Sequence, residues 1–159
     1  MVRRSGLGRR RSRVAVALAA LLLWPASSRA EEAGTVYVYA KADSATRSWT
    51  AVSVDGAPAA MLKQGRFFAA EVPAGERIVT VPSGIPLVVE VAAGREVFVR
   101  LGWRRTAGAA AIPAFSRVHD DLARKELVHL RIVDAGRILS DSVYDDDRRK
   151  RPELRTRPD

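Results

Sequence analysis

Between Thr35 and Gly102 the chain is cut into short β-branched runs by turn residues at every eight to twelve positions. Such spacing leaves no room for the helices that a parallel sheet needs between its strands, and it favours antiparallel strands folded into two packed sheets. Thr35–Ala40 alternates Val36 and Val38 with Tyr37 and Tyr39, the period-two pattern of a strand with one face inward. Trp49–Val54 follows and stops at Asp55-Gly56, a dipeptide suited to the positive φ of a two-residue hairpin turn. A short apolar piece, Ala60–Leu62, leads through Lys63-Gln64-Gly65 to Arg66–Val72, which ends at Pro73-Ala74-Gly75. Arg77–Val81 comes next, then Leu87–Ala92 with Leu87, Val89 and Val91 on one face. Arg95–Gly102 sets Val97, Val99 and Leu101 inward against Phe98 and Arg100 on the other side. The expected fold is mainly β: an antiparallel β-sandwich of about seven strands with one short C-terminal helix.

Past Trp103 the character changes. Arg104–Pro113 is alanine-rich and reads as a loop, and Ala114–Val118 as an edge strand. Asp120–Arg131 has the pattern of an amphipathic helix, with Asp120 and Asp121 at the positive end of its dipole and Ala123, Leu127 and Leu130 on one face. Asp120/Arg124 and Asp121/Lys125 are spaced for ion pairing along it. A competing reading makes Leu127–Val133 a strand, since Val128, Leu130 and Ile132 alternate with His129 and Arg131; the helix is the preferred one. The domain is therefore expected over residues 34–134, with residues 135–159 a polar, disordered tail whose last part, Asp145–Asp159, has almost no apolar side chain.

The first thirty residues follow a different logic. Six arginines between Arg3 and Arg13, the unbroken apolar run Val14–Trp24, the break at Pro25 and the small residues of Ser28-Arg29-Ala30 are the parts of a cleavable secretory signal. The run is too short for a spanning helix, which needs about 20 apolar residues. Cleavage is expected after Ala30, with Ser28 as the alternative position. A twin-arginine signal is disfavoured because Val14 does not supply the bulky residue expected just after such a pair. Residues 1–30 hold seven arginines and no acid, so their removal takes the net charge from +9 to +2. Nucleic-acid binding is not expected of so nearly neutral a domain, because phosphate recognition needs a clustered basic face. The chain has no cysteine, which excludes disulfides, thiolate metal sites and a lipid-acceptor cysteine. A periplasmic or secreted protein is expected, with neither a transmembrane segment nor a lipid anchor after signal cleavage.

Several of these runs and turns occur in a fixed order: Val36-Tyr37-Val38-Tyr39, Val52-Ser53-Val54-Asp55-Gly56, Leu62-x-x-Gly65-x-Phe67-Phe68, Val72-Pro73-Ala74-Gly75 and Ala93-Gly94-x-x-x-Phe98-Val99-Arg100. In this the chain resembles the bacterial envelope domain-of-unknown-function family 2846, and more loosely the PEGA and prealbumin-like sandwich modules, over Gly34–Val133. The resemblance implies a fold and a cell-envelope setting, and no reaction. The chain departs from that family in lacking the lipid-acceptor cysteine. Ala40 stands where a basic residue follows the first strand, and Glu76-Arg77 where a histidine often follows the Pro-x-Gly turn.

No nucleophile elbow, phosphate loop or zinc-helix motif is present, and no cofactor is expected. His119-Asp120-Asp121 is explained by a helix start rather than a metal site. Asp55, Glu71 and Glu90 would have to converge in space for glycoside chemistry, yet a turn explains the first and solvent-facing strand positions the others. The aromatic residues carry more weight. With Val36 and Val38 inward, Tyr37 and Tyr39 form an outer stripe that, with Trp49, Trp103 and Arg100, makes a possible ligand surface. The competing and preferred reading has the Arg104–Arg131 segment covering that face. The expected function is a non-catalytic exported envelope module binding an envelope protein or a cell-wall polymer. The alternative is a small carbohydrate-active or metal-dependent hydrolase.

Overall fold

The computed structural model describes residues 32–144, apart from residues 106 and 109. Nine strands form two sheets, and the order along the chain is β1 (Ala33–Ala40), β2 (Thr50–Val54), β3 (Ala57–Leu62), β4 (Arg66–Pro73), β5 (Gly75–Thr80), β6 (Leu87–Val91), β7 (Glu96–Arg104), β8 (Ile112–Val118), α1 (Asp120–Leu127) and β9 (Arg131–Ile132). One sheet has the order β8-β7-β1-β4-β9 and the other β3-β2-β5-β6. The mainly-β, two-sheet architecture with one short helix agrees with the sequence reading. The strand count and the purely antiparallel pairing do not. β8 and β9 take the number to nine, and β1 runs parallel to β7 and β4 parallel to β9. The chain crosses between the sheets repeatedly, at β1–β2, β3–β4, β4–β5 (Pro73-Ala74-Gly75) and β6–β7, instead of turning back within one. Turn residues specify a local change of direction, not which sheet the next strand joins.

The main core lies between the sheets, where Val36, Val38, Val52, Phe68, Val79, Val91 and Val99 are completely buried. β1 sits at the centre of its sheet, paired through Tyr37 with Ala69 on one side and Phe98 on the other. At its start the two sheets approach closely: a Cβ added to Gly34 would lie 2.5 Å from Val91 Cγ1 and 2.7 Å from the Ala92 carbonyl oxygen.

A second, smaller core lies on the outer face of the five-stranded sheet. There Tyr37, Tyr39, Ala69, Phe98 and Val118 pack under Ala123, with Leu127, Leu130 and Tyr144 around them. The face Ala123–Leu127–Leu130 is thus the buried one, as its spacing predicts. The helix stops at Leu127 and the strand begins at Arg131, so each of the competing readings of this segment holds for part of it. The expected Asp120/Arg124 pair is replaced by a longer-range one, because Arg124 reaches across to Glu96 on β7.

Residues 135–144 also belong to the folded part, beyond the boundary expected at residue 134. Val143 enters the main core at 4% exposure, and Tyr144 packs in the second. Arg131–Val133 and Ser142–Tyr144 finish the free edge of β4, through Arg131 N–H to the Gly65 carbonyl (3.0 Å), Val133 N–H to Phe67 (2.9 Å), Tyr144 N–H to Ala69 (2.9 Å) and Glu71 N–H to Ser142 (2.8 Å). The charged run Asp145–Asp159 and the signal segment Met1–Ala30 lie outside the described residues. Among the described residues, both core clusters lie between Val36 and Tyr144, all of which a chain beginning at Glu31 retains.

The β2–β3 hairpin closes as the sequence predicts. Asp55 and Gly56 have φ of 50° and 80°, the two positive values of a type I′ turn. Asp55 also ties the turn to β5, accepting from Ile78 N–H at 2.8 Å and pairing with Arg77 at 3.0 Å. Nothing lies within 4 Å of a Cβ placed on Gly56, so a larger side chain there meets only backbone strain. Gly56→Val is expected to cost about 1–2 kcal/mol, measured by denaturant unfolding. Asp55→Asn keeps the acceptor for Ile78 but turns an amide N–H toward Arg77, and is expected to cost no more than about 1 kcal/mol, less than Gly56→Val. A harmless Gly56→Val would show that this turn is not under the constraint described.

Candidate functional site

The residues expected to form a ligand surface separate into two groups. Tyr37 and Tyr39 do point away from Val36 and Val38, but α1 covers that face and leaves them 5% and 0% exposed. The outer aromatic stripe is therefore corrected to a buried seam, in line with the preferred reading. The Tyr37 ring stacks on Phe98 at 5.0 Å and its hydroxyl donates to Glu96 at 3.3 Å. Tyr39 donates to Glu126 Oε2 at 2.6 Å, and Arg100 donates to Glu126 Oε1 at 3.1 Å. Lys41 Nζ stands 3.6 Å from the same carboxylate. Arg100 is thus a docking residue for the helix rather than part of a ligand surface.

Burial first, and the adjoining Glu96 and Glu126 carboxylates second, raise the Tyr37 and Tyr39 phenols well above their ordinary range. Tyr144, which donates to Glu71 at 2.8 Å, is raised for the same two reasons. These hydroxyls stay protonated as hydrogen-bond donors at neutral pH. A phenol held this way cannot act as a base or anionic nucleophile there.

Trp49 is half-buried against the main core, with Lys63 Nζ 4.5 Å and Arg137 Cζ 4.8 Å from its ring centroid. Trp103 alone of the expected surface is exposed, at 43%. The carboxylates weighed for glycoside chemistry are not brought together: Glu71 lies on β4 in one sheet, while Asp55 and Glu90 belong to the other. His119 precedes α1 with its Nδ1 3.8 Å from Asp121, both exposed. No group of three potential metal ligands occurs among the described residues. An open cleft of about 390 Å³ lies between Ala33, Glu71, Pro73 and Asp141–Tyr144. Among the described residues its polar side chains are two carboxylates, a serine and a phenol.

Two exposed surfaces remain; the sequence reading missed the first and, of the second, singled out only Trp103. The first is the outer face of the four-stranded sheet. Val52, Val54, Val79, Val89 and Val91 point inward, so Ala51, Ser53, Ile78, Thr80 and Val88 point out. Ile78 and Val88 are cross-strand partners, 44% and 55% exposed, and Glu76 and Glu90 form the next pair along the same strands. No helix among the described residues covers this face. The signal was present in Ile78 and Val88, the polar-side positions of strands whose opposite side is already valine.

The second surface is the end of the β7–β8 hairpin. β7 leaves β1 at the Tyr39–Arg100 pair, and its last four residues, Leu101–Arg104, pair only with β8. Trp103 continues the inward row Val97, Val99, Leu101, and its Nε1 donates to Thr46 Oγ1 at 3.2 Å. Arg104 and Arg105 are exposed, as are Ile112 and the described alanine and glycine residues 107, 108 and 110. What was read as the loop Arg104–Pro113 is shorter, because β7 runs to Arg104 and β8 begins at Ile112.

Comparison with protein-family models, curated proteins and solved structures finds no match to this chain. No helix among the described residues is long and apolar enough to cross a membrane.

Proposed function

We propose that this protein is a non-catalytic, exported envelope module of the bacterial cell that binds a protein or a cell-wall polymer. The N-terminal segment and the ordered turns shared with small envelope domains support the compartment. The observation that carries the binding role is the difference between the two outer sheet faces. One lies under α1, whereas the other carries the Ile78–Val88 pair beside Ala51, Ser53 and Thr80. A solvated antiparallel face is ordinarily polar, and an apolar patch rimmed by charge marks a docking surface. Its chemistry suits an apolar partner strip bordered by basic groups that meet Glu76 and Glu90.

The test has two parts. Intact-mass analysis of the periplasmic fraction is expected to give a chain beginning at Glu31 or Arg29; a full-length cytoplasmic chain would refute export. Immobilised protein is then exposed to periplasmic extract and, separately, to purified peptidoglycan. Ile78→Thr/Val88→Thr keeps β-branched side chains on the strands while removing two exposed apolar surfaces. Retention of the bound component is expected to fall at least about tenfold, since each buried aliphatic side chain contributes roughly 1.5–3 kcal/mol. Equal retention by the variant would remove this face from the binding role.

A further inference from the structure

We propose that the end of the β7–β8 hairpin is a membrane-docking element that seats on anionic lipid headgroups. This goes beyond the binding role of the sheet face and uses a different surface. From Val97 to Val118 the chain carries four arginines and no acid, within a domain otherwise close to neutral. Arg100 and Arg117 lie along the hairpin, and Arg104 and Arg105 at its end. Arg100 is engaged by Glu126, while neither Arg104 nor Arg105 forms an ion pair among the described residues. No carboxylate among the described residues thus neutralises the two arginines at this end of the hairpin.

The apolar side chains at the same place specify the partner. Trp103 is 43% and Ile112 37% exposed, and Ile112 is the cross-strand partner of Arg104. Alternation along the strand sets Trp103 and Arg104 on opposite sides of the ribbon, with the alanine-rich turn beyond them. Each side of the hairpin end therefore carries exposed apolar surface, Trp103 on one and Ile112 beside Arg104 on the other, with the exposed Ala107, Gly108 and Ala110 beyond. A polysaccharide-binding site would be expected to offer a ring beside a groove of hydrogen-bonding side chains; this end offers neither amide nor carboxylate. A bilayer interface matches it, because indole rings sit at headgroup level, arginines meet phosphates and small apolar residues enter the acyl boundary. Each arginine near an anionic leaflet contributes enough attraction that two together alter affinity roughly thirtyfold.

The experiment uses the chain beginning at Glu31, which removes the basic apolar segment that would bind lipid by itself. Sedimentation is measured with vesicles of phosphatidylglycerol and phosphatidylcholine in equal parts, and with phosphatidylcholine alone. Binding is expected only to the anionic vesicles, and is expected to be lost at about 1 M salt, where the Debye length falls to roughly 3 Å. Arg104→Gln/Arg105→Gln should bind roughly thirtyfold more weakly with an unchanged melting curve, since both side chains are exposed. Tryptophan emission should shift to the blue on vesicle binding, and Trp103→Phe should abolish the shift while Trp49 still emits. Ile78→Thr/Val88→Thr should bind vesicles normally, which separates this result from the fate of the sheet face. Equal binding to neutral vesicles, binding insensitive to the arginine pair, or capture by soluble dextran sulfate without a vesicle-induced shift would each overturn the proposal. The last outcome would assign the hairpin end to an anionic polymer instead.

Discussion

Replacing Glu126 with alanine is expected to destabilise the domain by about 3 kcal/mol, the largest effect of any single polar substitution proposed for this domain. Its carboxylate is only 14% exposed and serves Tyr39, Arg100 and Lys41 at once. Alanine leaves the Tyr39 hydroxyl without its acceptor in a site closed to solvent, and an unsatisfied buried donor costs about 1–3 kcal/mol. Arg100 is one-third exposed, so water compensates part of its loss and the pair itself contributes less than a fully buried one. The remainder comes from looser seating of α1 over the second core. Glu126→Gln retains an acceptor for Tyr39 and is expected to cost about 1 kcal/mol. Denaturant unfolding distinguishes the two, and equal costs would show that charge rather than acceptance holds the helix. A related readout is alkaline pH. Tyr37 and Tyr39 have phenols raised above the ordinary value of 10.0, so the folded state holds their protons when the unfolded state has released them. Their contribution is complete below pH about 10 and declines as pH rises through the shifted values. Tyr39→Phe should make that alkaline decline shallower.

Truncation after Ser140 is expected to cost about 2–4 kcal/mol and to make the protein prone to aggregation, whereas truncation after Tyr144 should leave the unfolding midpoint unchanged. The short segment lost in the first case carries Val143 into the main core and Tyr144 onto the second. It also supplies the Ser142 carbonyl to Glu71 N–H and takes the Ala69 carbonyl with Tyr144 N–H. Without it, half of the β4 edge has free hydrogen-bonding groups, the template on which edge-to-edge association begins. Thermal melts and light scattering of the two truncations make the comparison. Equal stability would show that Val143 and Tyr144 are passengers on the sandwich.

The sequence showed more of the layers than of their connections. Period-two alternation placed Val36 and Val38 in the core and Tyr37 and Tyr39 on the other face. The spacing of Ala123, Leu127 and Leu130 then supplied the helix face that covers those tyrosines. The parallel β1–β7 pair was not legible, because nothing local in either strand records a partner some sixty residues away. Val143 and Tyr144 were hidden for a different reason: two apolar residues among Ser140, Asp141, Ser142 and Asp145 make no period. Of the expected surface, Trp103 alone is exposed. Arg100 was misjudged because its partner, Glu126, comes from a helix that packs across the sheet rather than from a neighbouring strand. The hairpin end was concealed by alanines that resemble a loop in composition while β7 and β8 extend into them.

The central position of β1 has a temporal consequence. It is the first strand made, yet one neighbour begins at Arg66 and the other at Glu96. Whichever machinery delivers the chain, this apolar strand has no neighbour until β4 appears and lacks the second until most of the domain has followed, and the edge-closing Val143 comes later still. Contacts this distant along the chain make for slow, late collapse in the millisecond-to-second range rather than progressive folding from the N-terminus. During that interval Thr35–Ala40 is a sticky, partnerless ribbon, and its first encounter with another such ribbon competes directly with the arrival of β4.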